Sequence, residues 1–218
     1  MDDVSTAGPD DEASVPRWFA ERTERQRLDY ASHFVRLAEQ GDDVDGEARF
    51  VDALAPRGAT ILDAGCGVGR VAARLSACGH HAAGVDADPI LIGKGHELYP
   101  GLPLTVLDLT TVAPEPLIAA GLPSSYDVVV SAGNVMHFVA DGTEPRVLAG
   151  LATVLRPGGR AIFGFATGRA YSPDDLDRHA VGVGWSLEHR FGTWQCDPFG
   201  RSSDWALSVY RAPGSASA

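Results

Sequence analysis

The residues best equipped for chemistry lie in one short run, Ile61-Leu62-Asp63-Ala64-Gly65-Cys66-Gly67-Val68-Gly69-Arg70. An apolar stretch meets an acid and then three glycines at alternate positions. Glycine belongs where the backbone turns sharply, or where a ligand lies against it with no Cβ in the way. A helix starting directly after such a loop offers free N–H groups and a positive dipole end to an anionic group. Two more acids stand downstream. Asp86, in Gly84-Val85-Asp86-Ala87-Asp88, follows Gly67 by roughly 20 residues, the distance at which a carboxylate accepts from ribose hydroxyls in nucleoside sites. Asp88 fits better as the cap of a helix beginning near Pro89. Asp108 closes another apolar stretch and can accept from an adenine amino group while Leu109 packs on the ring; a plain turn aspartate is the other reading.

Two ligands could use the glycine loop: a dinucleotide pyrophosphate, or the methionine end of S-adenosyl-L-methionine. The dinucleotide fingerprint G-x-G-x-x-G/A, read from Gly65, sets Arg70 at the third small position, where close helix–strand packing leaves little room. The pattern D-x-G-x-G-x-G, read from Asp63, fits throughout. The spacing favours S-adenosylmethionine.

The elements that must position these groups read as alternating strands and helices. Strands are expected at 60–64, 82–86, 104–107, 126–131 and 160–165, each short and nearly all apolar, as in a parallel sheet buried on both faces. Helices are expected between them at 70–78, 89–98 and 143–155, and right-handed crossovers then place helices on both sides of the sheet. A helix at 173–181 leads to two strand-like segments, 186–194 and 205–210. Ahead of the glycine loop, an amphipathic helix is expected from Pro16 to Gly41, and a second at 46–54, before Pro56-Arg57-Gly58. Residues 1–15 read as a disordered acidic tail, 16–45 as a helical cap, 46–211 as the cofactor-binding domain and 212–218 as a flexible end. Carboxyl ends of strands near a switch in strand order are where open α/β sheets bind ligands, and Asp63, Asp86 and Asp108 all fall there.

Composition excludes other chemistries. A net charge of −11 on 218 residues opposes nucleic acid as a partner, because phosphate contacts need clustered bases. Lys94 is the sole lysine among 18 basic residues, which disfavours Schiff-base and P-loop mechanisms. Cys66, Cys78 and Cys196 form no CxxC pair and read as reduced thiols without metal-ligand spacing. No apolar run is long enough to cross a bilayer and no secretory signal is visible, so a cytoplasmic protein is expected.

Residues 46–211 resemble the class I S-adenosylmethionine-dependent methyltransferases. Besides the glycine loop and the acids, Tyr126-Asp127-Val128-Val129-Val130-Ser131-Ala132-Gly133-Asn134 looks like the family's fourth-strand motif, and Leu155-Arg156-Pro157-Gly158-Gly159-Arg160 like its turn into the fifth strand. The resemblance implies a Rossmann-like doubly wound α/β sheet of seven strands, order 3-2-1-4-5-7-6, with strand 7 antiparallel. It assigns Asp63, Gly65, Cys66, Gly67 and Gly69 to the methionine moiety, Asp86 and Ala87 to ribose and adenine, and Asp108 and Leu109 to adenine. Ala132 and Gly133 would border the reacting methyl. Asp45-Gly46-Glu47-Ala48-Arg49 and Ser131-Ala132-Gly133-Asn134-Val135-Met136 are similar to segments of small bacterial methyltransferases of the small-molecule type. Val135 and Met136 after Asn134 depart from the D/N-P-P-Y/F pattern of enzymes that methylate amide or ring nitrogens in nucleic acids and proteins.

The implied partner is therefore a small-molecule methyl acceptor, with no nucleic acid, membrane or metal, in a monomer or homodimer. A base is needed only if the acceptor must lose a proton, and His137, just past the fourth strand, is the best-placed histidine for it. Trp18, Tyr30 and Phe34 could close over the cofactor and wall the acceptor, or form the core-facing stripe of their helix. Other functions share parts of this pattern. A nicotinamide-dependent oxidoreductase is opposed by the glycine spacing, and an aminopropyltransferase by the lack of an acid-rich polyamine motif. A non-catalytic S-adenosylmethionine-binding protein would carry the same binding residues.

Overall fold

Seven strands pair into one sheet: β1 (Thr60–Ala64), β2 (His81–Asp86), β3 (Leu104–Val106), β4 (Tyr126–Ser131), β5 (Leu155–Ala166), β6 (Ser186–Phe191) and β7 (Trp205–Arg211). They are seen in a computed structural model that describes residues 15–214. The order is β3-β2-β1-β4-β5-β7-β6. Strands β1 to β5 pair in parallel, and β7 runs antiparallel to both its neighbours. This is the sheet the resemblance implied. From β1 the chain builds outward to β2 and β3, then returns to lay β4 on the other side of β1. The crevice beyond the carboxyl ends of β1 and β4 is the switch point.

Side chains alternate across the sheet and feed two cores. Ile61, Val128, Val130, Ile162, Leu207 and Val209 face one side; Leu62, Val129, Phe163, Phe165 and Tyr210 face the other. Helices α1 (Arg17–Glu21), α2 (Glu24–Ala31), α3 (His33–Glu39), α4 (Gly46–Leu54), α5 (Arg70–Ala77), α6 (Pro89–Leu98), α7 (Pro114–Ala119), α8 (Glu144–Val154) and α9 (Pro173–Gly182) complete the chain. The first core is closed by Phe50 and Val51 of α4 and by Val71 and Leu75 of α5. The second is closed by Leu117 of α7, Leu148 and Leu151 of α8, and Leu176 of α9. Strands buried on both faces need near-continuous apolar sequence, which is why β1 and β4 were legible as strands.

Several expected boundaries shift. The single helix expected over 16–41 is three. Arg22 is extended (φ −131°, ψ 129°) and ends α1. Thr23 then caps α2, its hydroxyl accepting from Gln26 N–H while the Gln26 side chain accepts from Thr23 N–H. That reciprocal pair starts a new helix whatever the apolar periodicity says. Ser32 separates α2 from α3. Strand β5 starts at Leu155 rather than at 160, and its register with β4 jumps between Tyr126 and Val128 to absorb the Arg156–Gly159 turn. Strand β6 stops at Phe191, because Gly192 N–H turns back to Asp197 O (2.7 Å). Helix α7 was not anticipated: Pro114 and Pro116 mask its first turn, and Leu117 is its one buried residue. Among the described residues no helix is long and apolar enough to cross a membrane. The expected acidic tail, except for the exposed Val15, lies outside the described residues, as does the end of the chain beyond residue 214.

Candidate active site

Strand β1 passes into a loop held by its neighbour: Gly65 and Cys66 both donate their N–H to Val85 O of β2 (2.8 and 3.0 Å). Gly65 lies under the Val135 side chain, so that a Cβ there would run into both methyls. At Gly67 (φ +56°) a Cβ would point at nothing nearer than the Tyr30 ring, 4.0 Å away. The backbone is therefore bare on that side. Asp86, ending β2, accepts from Gly67 N–H through Oδ2 (2.8 Å) and from Asp88 N–H through Oδ1 (2.9 Å). Asp63, buried at the end of β1, accepts from Ala72 N–H (3.2 Å) in the first turn of α5, where the helix dipole favours a carboxylate. Burial pushes Asp63 up to about 7 and Asp86 up to about 6.

A cavity of about 400 Å³ opens above this loop. Its floor is Gly65, Gly67, Asp86, Ala87, Asp108 and Leu109; Ala132, Gly133, Asn134 and Val135 of the β4 tip form one flank; Trp18, Tyr30, His33 and Phe34 form the roof. A side chamber of about 50 Å³ shares Gly65, Gly67 and Glu47 with it and reaches Asp63, Cys66 and Arg70. Most of the site residues read from the sequence thus meet at one place. Trp18, Tyr30 and Phe34 all line the cavity, and Trp18 and Tyr30 also pack on the small core of Ala31, Val68 and Leu91. Asp108 is at once a wall residue and a turn cap: its Oδ1 accepts from Thr110 N–H (2.8 Å) and Thr110 Oγ1–H (2.7 Å). Cys66 touches the side chamber, but its sulfur fills the space beside Gly84, where a Cβ would come within 2.7 Å. Burial raises its thiol well above the usual range.

Two residues are not where the sequence reading put them. Gly69 lines neither chamber. It caps α5 at φ +81°, and a Cβ there would press on Leu104 Cδ1 at 2.8 Å, so its task is to let the start of α5 pass close to the Leu104 side chain. His137 is buried beneath the cavity flank. Its Nε2–H donates to Ala166 O (2.9 Å), its ring lies edge-on to Phe165, and burial lowers its pKa. The turn after β4 rotates it into the core, off the cavity lining. Among the described residues, His33 is the histidine on the cavity wall, stacked on Tyr30.

The sequence reading missed a charged pair and the contacts that pin the helical cap across the cavity as a strap. Arg70 holds Glu47 with two hydrogen bonds (2.7 and 3.1 Å) and lies over the Phe34 ring at 4.3 Å. The strap is the first two helices. Trp18 N–H donates to Phe138 O (3.1 Å), and Arg17 reaches Val139 O and Glu144 (3.1 and 3.0 Å), both beyond β4. On the opposite lip, Trp18 Nε1–H and Arg27 Nη1 donate to Asp88 (2.7 and 2.8 Å), which also caps α6 through Ile90 N–H (2.9 Å). Asp88 is fully buried. It is the expected cap and also the anchor of the strap. These contacts join segments far apart in sequence, and local patterns carry no signal of them.

A nucleoside-sized cavity with carboxylates at two strand ends and bare glycine backbone between them, at the switch point of a sheet of this order, defines a Rossmann-like protein that binds a nucleoside cofactor. The comparisons with known proteins agree on which one. A family model described as a methyltransferase domain matches residues 61–159. The TehB-like S-adenosylmethionine-dependent methyltransferase of Corynebacterium glutamicum, a solved structure, is 39% identical over 86% of this chain and 98% of that one, with a TM-score of 0.79. The ubiquinone biosynthesis O-methyltransferase of Paraburkholderia phytofirmans is 30% identical over 118 residues, 53% of this chain and 48% of that protein. The chain spans about half the length of the curated relatives it matches. The CcbJ methyltransferase of Streptomyces caelestis, at 20% identity and a TM-score of 0.66, shares the fold. The chain belongs to the S-adenosylmethionine-dependent methyltransferases of class I.

Proposed function

We propose that the protein transfers a methyl group from S-adenosylmethionine to a small-molecule acceptor held in the same cavity, with residues 46–211 as the catalytic domain and 16–45 as its cap. The observation that carries this reading is the Asp86 carboxylate on the cavity wall, tied to Gly67 N–H beside the bare face of the loop. Each of its oxygens has one backbone partner and keeps a lone pair, enough for the two hydroxyls of a ribose. Ala87 and Leu109 supply apolar flanks for an adenine, and Asp108 an acceptor for its amino group. Gly67 leaves room for the methionine chain, and Gly65 lets Val135 close against the loop beside it. Glu47 and Arg70 match the ammonium and carboxylate of a zwitterion. Ala132 and Gly133 border the transfer region, while Asp63, Cys66 and Gly69 act through the loop and the start of α5.

The cofactor supplies an electrophilic methyl on a sulfonium. The chain's contribution is to hold the acceptor in line with it under a roof that excludes water, and alignment of this kind is worth roughly 7–11 kcal/mol. Where the acceptor must lose a proton, His33 is the base we assign. The roofed cavity and the net charge of −11 favour a small molecule over nucleic acid, and the unpaired cysteines suit a cytoplasmic monomer or homodimer. Calorimetric titration with S-adenosylmethionine, its demethylated product and NAD tests the reading, followed by a radiolabelled transfer screen over metabolites. The first two ligands are expected to bind; binding of NAD with no response to S-adenosylmethionine would overturn it.

A further inference from the structure

The cavity is acidic at one end and has unused donors elsewhere. Asp86, Asp108 and Glu47 belong to the cofactor end. Arg22 also lines the cavity. Released from α1 by its extended backbone, it sits against two aromatic rings set nearly at right angles (76°), 4.3 Å from the centre of Trp18 and 4.2 Å from that of Phe138. Its Nη1 is buried and has no hydrogen-bond partner among the described residues. The indole Nε1–H of Trp205, another wall residue, is also buried without a partner among them. Arg169, exposed at the rim, lies over the other residue stacked on Arg22, with its guanidinium 5.5 Å from the Phe138 ring. Buried donors are satisfied in native proteins with few exceptions, so donors left open on a ligand cavity call for an acceptor on the ligand.

The methionine carboxylate is not that acceptor. It has Arg70 beside Gly65 and Gly67 in the side chamber, whereas Arg22 is stacked on Phe138, beyond the β4 tip. With its Nη1 open on the cavity, Arg22 offers the end of a planar fork, which fits a two-oxygen planar acid. Three carboxylates in the same cavity disfavour a dianion such as a phosphate monoester. Trp18, Phe138 and Val139 supply an apolar wall. Resting on the methyltransferase reading above, we propose that the acceptor is a carboxylate on an apolar, flat body, and that Arg22 seats its acid group, with Trp205 Nε1–H and Arg169 as further donors.

The test uses the full chain saturated with the demethylated cofactor product. Benzoate, phenylacetate and indole-3-acetate are titrated in parallel with their primary amides and with phenyl phosphate. At least one carboxylate is expected to bind about ten-fold or more tighter than its amide. Arg22→Gln is expected to erase that preference while the affinity for the demethylated product stays within about two-fold of the parent. Arg169→Gln, an exposed substitution that spares the fold, is expected to weaken carboxylate binding by a smaller factor. Amides binding as well as carboxylates overturns the proposal, as does a preference for phenyl phosphate. Loss of the demethylated product's affinity in Arg22→Gln assigns Arg22 to the cofactor and overturns it too. Failure of the parent chain to bind that product at all is a separate outcome: it removes the methyltransferase reading and, with it, the acceptor this proposal describes.

Discussion

At the scale of single residues, the glycine loop and the strand-end acids yield the sharpest expectations. Asp86→Ala should weaken S-adenosylmethionine binding by roughly 1.5–3 kcal/mol, the range for hydrogen bonds to a charged group, in isothermal titration. It also removes the acceptor of Gly67 N–H, so part of that loss will reflect a looser loop. Gly67→Val places a branched side chain at φ +56° on the cavity floor; the variant should keep its circular dichroism and lose cofactor binding. A folded variant that binds normally would move the cofactor elsewhere. The histidines separate by readout. His33→Gln should lower kcat by roughly 10²–10⁴-fold for an acceptor that must be deprotonated, while His137→Gln should lower the melting temperature and leave the pH profile of kcat in place. Asp86 and Gly67 were legible because β1, its loop and β2 are adjacent in both sequence and space. Gly69 and His137 were not, because which way a residue in a turn faces is set by what packs on it, Leu104 in one case and Phe165 in the other.

At the scale of elements, the strap has the clearest energetic signature. An isolated helix cap is worth about 1 kcal/mol. Asp88 is more than that: removing it leaves Arg27 Nη1 and Trp18 Nε1–H without their acceptor. Breaking a buried ion pair from one side costs roughly 3–5 kcal/mol, and the low end applies because Arg27 is 16% exposed. Asp88→Ala should therefore unfold at markedly lower denaturant than a cap mutant would, and its N-terminal helices should be nicked early in limited proteolysis. A loss near 1 kcal/mol would mean the strap holds by other contacts. The core helices and strands were readable from periodicity and burial. The break at Arg22–Thr23 was readable in principle, since Thr23-x-x-Gln26 is a capping box inside the polar run 21–27, but reading Phe19, Leu28, Phe34, Val35 and Leu37 as one amphipathic trace hid it. The reward for that break is Arg22 itself, which a continuous helix would have carried elsewhere.

At the scale of the whole molecule, strand type and crossover handedness implied a parallel sheet with helices on both faces, and the strand order itself came from the family resemblance. The roof did not follow, because it depends on contacts between segments some 60 to 130 residues apart. One whole-molecule consequence concerns pH. Burial raises Asp63 to about 7 and Asp86 to about 6, against about 4 for an unfolded aspartate. The folded chain then binds more protons than the unfolded one in between, so this stability is fully present below about pH 4 and lost as pH rises through 6 and 7. The cofactor wants the opposite state, an ionised Asp86. Ligand-free thermal stability should fall between pH 5 and 7 while S-adenosylmethionine affinity rises, and Asp86→Asn should flatten the affinity trend while leaving the part of the stability trend that belongs to Asp63; parallel trends would contradict the assignment. The last consequence is one of order in time. Tyr30 stands over Gly67, and its strap is pinned on both lips, so the cofactor half is covered whenever the acceptor wall of Trp18 and Phe138 is complete. The expected traffic then has a sequence: S-adenosylmethionine should enter first, the acceptor join it, the methylated product depart, and the demethylated cofactor leave last, on lifting of the strap. Steady-state kinetics should show that final product competing with S-adenosylmethionine but not with the acceptor, and a strap weakened at Asp88 should release it faster.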